Sequence, residues 1–227
     1  MAEQAGSSSL PSMSLSDEEV AANLGAVRDA IGDSGRSDVT IVAVTKGFDR
    51  SAIECASRLG ISDIGENYAQ ELQAKSPMPE ETRVHFIGRI QRNKVRKVAD
   101  QVDLWHSVSR PEVVVEISKR SAHPQILIQV AAAGDTTKAG VAPDEVEPLL
   151  EVAREHGVDV AGLMTIGVLA DEERTMQSFA DLARLADTFE LRERSMGMSG
   201  DYRDALAHGA TMLRLGSALF GPRPMQW

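Results

Sequence analysis

The chain is short of cysteine, aromatic residues and positive charge. Cys55 is its one cysteine, so no intrachain disulfide can form, and we expect a protein of the reducing cytoplasm. Aromatic residues make up 4 % of the 227 residues, and no apolar run approaches the length of a membrane span. The 24 Lys and Arg against 34 Asp and Glu leave a formal net charge of −10. Nucleic acids and anionic membranes need a basic footprint, so we expect neither as a partner.

The first residues, MAEQAGSSSLPSMS, are small and polar. They carry no basic segment followed by an apolar core, as a secretory signal would. We expect residues 1–14 to form a disordered tail, because they cannot bury enough surface to offset ordering. Ser16 and the acidic residues after it predict a helix that runs to about Ile31. No linker-like segment follows residue 36, so residues 15–227 are predicted to form a single domain.

Eight short runs rich in β-branched and apolar residues then alternate with helical patterns. The runs lie at 40–45, 63–66, 84–88, 104–108, 126–131, 160–166, 194–198 and 212–216. Most are nearly continuous apolar stretches, which is typical of parallel strands buried on both faces. This rhythm predicts a (β/α)8 TIM-type barrel. A doubly wound open sheet is the competing fold.

Polar and small residues gather where the predicted strands end, which is where a barrel carries its function. Lys46 ends the first strand, directly after the apolar or β-branched run Ile41–Thr45. Apolar surroundings lower the pKa of a lysine and free the neutral amine, which is the nucleophile for Schiff-base formation. The alternative is a lysine that extends to solvent from a strand end.

The C-terminal segment has the pattern of a phosphate site. Arg214 lies in the last strand, and Gly216 and Ser217 open a short helix. Free N–H groups at a helix start, a glycine that admits a close ligand and a hydroxyl suit a phosphate, and Ser199 after strand seven would supply the other half. An ordinary turn is the alternative. Strands one and eight are neighbours in a closed barrel, so Lys46 and this segment together indicate an aldehyde that bears a phosphate.

Other candidate groups favour structural roles. His85 and His106 lie in predicted strands, where a hydrogen-bonded core histidine is commoner than a catalyst. The basic run at 89–97 is more typical of a solvated helix face than of an anion patch. Cys55 has apolar neighbours on its helix, which favours a buried, inert thiol. No residues have metal-ligand spacing, so we expect no metal.

Three longer segments resemble the pyridoxal phosphate homeostasis proteins, a family related to the alanine racemase N-terminal domain. They are AVTKGFDRSAIECASRLGISDIGENYAQE, HFIGRIQRNKVRKV and SMGMSGDYRDALAHGATMLRLGSALFGPR. They follow in the family's order and spacing between residues 43 and 223. Val84 and Arg89 depart from the family pattern, which has an aromatic residue and a histidine at these places.

The resemblance implies a (β/α)8 barrel that holds pyridoxal 5′-phosphate (PLP) as an internal aldimine on Lys46. It implies that Arg214 faces the pyridine nitrogen, and that Asn67 lies beside the ring. It further implies that Ser199, Gly216 and Ser217 surround the phosphate, with His85 and Met164 near the pocket.

An arginine at the pyridine nitrogen bears on function. Arg214 can only donate hydrogen bonds, so the nitrogen must accept and stay unprotonated, which makes the ring a poorer electron sink. The related racemases add a second acid–base residue from a further domain or subunit, and we expect no such domain here because the chain ends at Trp227.

The sequence therefore predicts a non-catalytic, monomeric protein that stores or delivers PLP within the cell, with PLP-dependent apo-enzymes as possible recipients. Two alternatives stay open. One is a PLP-dependent amino-acid racemase. The other is a cofactor-free Schiff-base aldolase that acts on a sugar phosphate.

Overall fold

The computed structural model describes residues 16–132 and 140–223. Its centre is a closed barrel of eight parallel strands in sequence order. The strands are β1 Thr40–Val44, β2 Asp63–Glu66, β3 Arg83–Phe86, β4 Leu104–Val108, β5 Gln125–Gln129, β6 Asp159–Met164, β7 Glu193–Ser195 and β8 Met212–Leu215. The predicted tail over residues 1–14 lies outside the described residues.

Helices connect the strands and surround the barrel. They are α1 Asp17–Asp33, α2 Arg50–Arg58, α3 Ala69–Lys75, α4 Arg92–Val98, α5 Pro111–Ser118, α6 Val146–Glu155, α7 Glu172–Thr188, α8 Tyr202–Ala207 and α9 Ser217–Phe220, with a short 3-10 helix at Pro143–Glu145. None of the helices in the described ranges is both long and apolar enough to cross a bilayer.

Alternation along the strands divides the apolar residues between two cores. One small cluster, made of Leu104, Leu127, Met164 and Met212, lies apart from the rest, and its members sit on four different strands, as expected of a layer inside a barrel. The larger cluster joins the outer strand faces to the helices. Both strand faces are thus buried, which explains the nearly continuous apolar runs in the sequence.

Strand register brings the predicted site residues to one end of the barrel. β1 lies between β2 and β8, with Val44 opposite Gly65 and Val42 opposite Arg214. The residues that follow these strands therefore meet at the same mouth. Because β1 pairs with β8, the sheet is closed, and the open-sheet alternative is wrong.

All eight predicted strands exist, and only their ends differ. β7 stops at Ser195, three residues before the predicted end, since Gly197 has a φ of 92° and the backbone there is no longer extended. α1 continues to Asp33, past the predicted end at Ile31, because the Ser34 N–H still reaches the Ala30 carbonyl oxygen at 3.2 Å.

Candidate functional site

Lys46 lies just beyond β1, and the strand predicted at 40–45 ends one residue earlier than expected. β1 ends at Val44, and Lys46 sits in a turn that the Phe48 N–H closes on the Thr45 carbonyl oxygen at 3.1 Å. Gly47 has a φ of 75°, a conformation in which a side chain would be strained. The turn carries Lys46 to the mouth, where its ammonium group bonds to none of the described residues.

The electrostatic surroundings of Lys46 favour its neutral form. Burial is the main cause that lowers the pKa of this amine, and the positive charges of Arg223 and Arg214 lower it further. Glu71 and Glu66 act in the opposite direction and limit the effect. A lowered pKa leaves more free amine near neutral pH, which is what a nucleophilic lysine requires.

A buried ion pair fixes the backbone on both sides of Lys46. The Lys75 ammonium donates to Glu66 Oε1 at 2.6 Å and to the Thr45 carbonyl oxygen at 2.8 Å. The Thr45 hydroxyl donates to the same Glu66 oxygen at 2.6 Å. On the other side of Lys46, the Gly47 N–H donates to Glu71 Oε2 at 2.9 Å.

Neither Lys75 nor Glu71 was selected as a candidate residue from the sequence. The one available signal was their separation by four residues, which places them on the same face of α3. Lys75 is 5 % exposed and Glu66 is fully buried. Burial raises the pKa of the Glu66 carboxyl group, and the hydrogen bonds from Lys75 and Thr45 oppose this rise.

Asn67 directly follows β2, the strand that pairs with β1. Its amide oxygen is buried and has no hydrogen-bond partner among the described residues. The backbone of Asn67 packs directly against Gly88. A Cβ at position 88 would lie 2.0 Å from the backbone carbonyl oxygen of Asn67, so a larger residue there would displace Asn67. A buried acceptor with no protein partner is costly, so Asn67 Oδ1 is a candidate ligand group.

The predicted phosphate residues meet between β7 and β8. Ser199 Oγ accepts from the N–H of Gly216 at 3.3 Å and from the N–H of Ala218 at 3.0 Å. A Cβ on Gly216 would lie 3.6 Å from the Val44 carbonyl oxygen, so this group adjoins the strand that leads to Lys46. Ser217 begins α9 as predicted, and its side chain is exposed.

Arg214 is held in β8 with its guanidinium group inside the barrel. Its Nη1 donates to Ser195 Oγ at 2.7 Å, and its Nη2 donates to the Thr165 carbonyl oxygen at 2.8 Å. Burial lowers the pKa of Arg214 to about 10, and the negative charge of Asp201 opposes this. Arg214 therefore remains a cation at neutral pH, with N–H groups left for a ligand.

Other residues that the sequence singled out do not reach the mouth in the same way. His85 and Met164 are buried within the barrel, and Met164 belongs to its apolar layer. Arg89 is exposed and lines a cavity of about 380 Å³ at the β3–β5 side of the mouth.

Cys55 is buried, and burial is the main cause that raises the pKa of its thiol to about 11, as expected for an inert thiol. Within residues 16–132 and 140–223, no cluster of His, Cys, Asp or Glu could hold a metal ion.

Replacing Arg223 by alanine should raise the pKa of Lys46. Arg223 is exposed, and its Cδ would lie 3.2 Å from a Cβ on Gly47. It is the strongest of the charges that lower this pKa, so its removal favours the ammonium form. Reductive methylation with ¹³C-formaldehyde, followed by NMR titration of the Lys46 signal, measures the change. Arg120→Ala, at a remote exposed arginine, is the control, and an unchanged Lys46 titration in Arg223→Ala would contradict the electrostatic argument.

Comparison with known proteins places the chain in a family. The family model for the alanine racemase N-terminal domain matches residues 16–224. The pyridoxal phosphate homeostasis protein of Deinococcus radiodurans is 40 % identical over 209 residues, which cover 88 % of this chain and 99 % of that protein.

Two solved structures of one protein support the same family. PipY of Synechococcus elongatus PCC7942 matches with a TM-score of 0.80 in its structure without PLP, at 31 % identity over 89 % of this chain and 100 % of PipY. The structure of PipY with PLP bound matches with a TM-score of 0.77, at 30 % identity over the same shares of both chains. The chain therefore belongs to the alanine racemase N-terminal-domain family and, within it, to the pyridoxal phosphate homeostasis proteins.

Proposed function

We propose that this protein binds PLP as a Schiff base on Lys46 and takes part in cytoplasmic PLP homeostasis by storing or delivering the cofactor. The observation that carries the proposal is the meeting of Lys46 with the Ser199–Gly216 group at adjacent strand ends. One group supplies an amine and the other supplies N–H and hydroxyl donors for an anion. PLP bears the matching aldehyde and phosphate.

The described residues fit this cofactor. The hydroxyl groups of Ser199 and Ser217 offer donors for the phosphate, and Gly216, whose N–H donates to Ser199 Oγ, places its backbone beside them. Asn67 offers a buried oxygen without a protein partner among the described residues, and Arg214 offers N–H groups for the pyridine nitrogen. When bound, PLP supplies an electrophilic aldehyde and a ring that can withdraw electrons.

The charge of Arg214 favours binding without turnover. Its guanidinium group holds its protons at neutral pH and cannot accept a hydrogen bond. A pyridine nitrogen that faces it must stay unprotonated, which weakens the electron withdrawal that chemistry at an amino-acid α-carbon needs. We therefore propose a carrier, with PLP-dependent apo-enzymes as recipients.

Borohydride reduction followed by mass spectrometry of the peptides tests the binding proposal. We expect a pyridoxyl phosphate group on Lys46 after incubation with PLP. A sugar-phosphate fragment on Lys46 would instead support the aldolase alternative. A chain that remains unlabelled at saturating PLP would contradict covalent binding.

The racemase alternative is favoured by the matching family model, which describes the N-terminal domain of an enzyme. It requires removal and return of the substrate α-proton. We expect no exchange of the α-proton of L-alanine in heavy water with the PLP-loaded protein, measured by NMR against an alanine racemase as positive control. Exchange above the rate with free PLP would overturn the carrier proposal, whereas transfer of PLP to an apo-enzyme would support it.

A further inference from the structure

A chain of side-chain hydrogen bonds crosses the interior of the barrel and ends on Arg214. Asp63 Oδ1 lies 2.8 Å from His85 Nε2, and His85 Nδ1 lies 2.8 Å from His106 Nε2. His106 Nδ1 lies 3.0 Å from Ser195 Oγ, which accepts from Arg214 at 2.7 Å. We call these five residues the histidine relay. The contacts among these five residues were not predicted from the sequence.

The relay runs from one end of the barrel to the other. Asp63 is the first residue of β2, at the end opposite the mouth, and its side chain is 18 % exposed. His85, His106 and Ser195 are fully buried. The interior of a TIM-type barrel is normally filled by bulky apolar residues. Burial of a polar group is tolerated when its hydrogen bonds are satisfied, and here each buried member has a partner on both sides.

With both histidines neutral, the two ends of the relay fix the direction of every hydrogen bond. An ionised Asp63 can only accept, so His85 carries its proton on Nε2. A neutral His85 then accepts at Nδ1, which requires the proton of His106 to be on Nε2. A neutral His106 accepts at Nδ1 from the Ser195 hydroxyl group. Arg214 can only donate, and Ser195 Oγ accepts from it, so the pattern closes without a conflict.

The charges around the relay support these protonation states. Burial is the main cause that holds the pKa of His106 well below its usual value, and the permanent positive charges of Arg214 and Arg83 act in the same direction. Burial alone would raise the pKa of Asp63, but the hydrogen bonds from His85 and Ser62 and the charge of Arg83 help to lower it overall. His106 is therefore neutral and Asp63 is ionised near neutral pH.

We infer that Asp63, His85, His106 and Ser195 are positioning residues that orient Arg214 and connect the cofactor site to a carboxylate at the opposite end of the barrel. The inference rests on the proposed function, because Arg214 is the residue assigned to the PLP ring. Ser195 and the Thr165 carbonyl oxygen engage one N–H on each terminal nitrogen of Arg214. These two bonds fix the plane of the guanidinium group and leave its other N–H groups for the ligand.

The first test uses the protein without PLP and is independent of the proposed function. Long-range ¹H–¹⁵N correlation spectra distinguish the two neutral forms of a histidine, and the chain has five histidines to assign. We expect both His85 and His106 to carry the proton on Nε2. Asp63→Leu removes the acceptor and should move both protons to Nδ1, whereas Asp63→Asn retains an acceptor oxygen and should leave them on Nε2.

The second test measures the hold on the cofactor. Ser195→Ala removes the acceptor of Arg214, so we expect PLP to dissociate about 10-fold faster, which corresponds to about 1.4 kcal/mol. Ser178→Ala is the matched control, because Ser178 is also a buried serine, bonded to the Arg174 carbonyl oxygen at 2.7 Å on α7. We expect the wild-type dissociation rate in this control.

The outcomes separate the two proposals. Either histidine with its proton on Nδ1 in the wild-type protein would overturn the relay, and so would equal PLP release from Ser195→Ala and Ser178→Ala. If Asp63→Leu does not fold, the wild-type spectrum and the serine pair still decide. A wild-type protein that binds no PLP would contradict the proposed function, while the histidine spectra would still report on the relay.

Discussion

No pyridoxyl phosphate should remain attached to the Lys46→Ala variant after borohydride reduction. The other described lysine close to the turn is Lys75, and its ammonium group is buried against Glu66 and the Thr45 carbonyl oxygen. Lys75 therefore cannot replace the lost nucleophile without breaking its ion pair. Peptide mass spectrometry of the reduced protein measures this loss.

The same variant separates covalent from non-covalent binding. Ser199, Gly216 and Arg214 remain in Lys46→Ala, so weak binding should persist with an apparent Kd raised by at least about 100-fold, or about 2.7 kcal/mol. Lys46→Arg keeps the positive charge but forms no Schiff base, and it should also lose the label. Lys119→Ala, at an exposed lysine, should be labelled like the wild type. Full labelling of Lys46→Ala would show that Lys46 is not the attachment residue.

The barrel was predictable because its strands are buried on both faces. Runs such as the one at 40–45 are apolar without strict alternation, and helical patterns follow them at regular intervals. The sequence could not decide between a closed and an open sheet, because closure depends on the pairing of β1 with β8, whose partners Val42 and Arg214 are far apart in the chain. The C-terminal end of β7 was also predicted wrongly, since the backbone conformation of Gly197 depends on packing.

The groups that face the candidate ligand were easier to find than the groups that hold them. Lys46, Ser199 and Gly216 lie in recognisable motifs next to glycines and strand ends. Ser195 and Thr165, which hold Arg214, are 19 and 49 residues away from it in the chain, and no local pattern marks such a contact. His85 and His106 were expected to be core histidines with hydrogen bonds, and the structure confirms this, but their mutual contact could not be read from the sequence.

Lys75 shows why buried charge is hard to predict. On α3 it looks like an ordinary helix lysine, yet its ammonium group turns inward and bonds to Thr45, 30 residues earlier in the chain. The cost of burying Lys75 is offset only because Glu66, on the neighbouring strand β2, is buried with it. The stabilisation therefore belongs to the pair and to the fold that brings the two charges together.

Lys75→Met should lower the free energy of unfolding by about 3–5 kcal/mol, the usual effect of leaving one buried charge uncompensated. Glu66 Oε2 already has no hydrogen-bond partner among the described residues, so the variant would leave this carboxylate with Thr45 as its main support. Urea unfolding measures the loss. Lys119→Met, at an exposed position, should change stability by less than about 0.5 kcal/mol.

The double variant Glu66→Leu/Lys75→Met distinguishes a buried ion pair from two independent contacts. Removal of both charges leaves neither one uncompensated, so the double variant should be much more stable than the sum of the two single losses predicts.

Lowering the pH should also restore part of the stability that Lys75→Met loses. Burial raises the pKa of Glu66 in the folded state above its unfolded value, so the cost of the charge is absent below the unfolded pKa and grows as pH rises toward the folded pKa. Additive losses in the double variant, together with a pH-independent loss in Lys75→Met, would contradict the pair as the source of this stability.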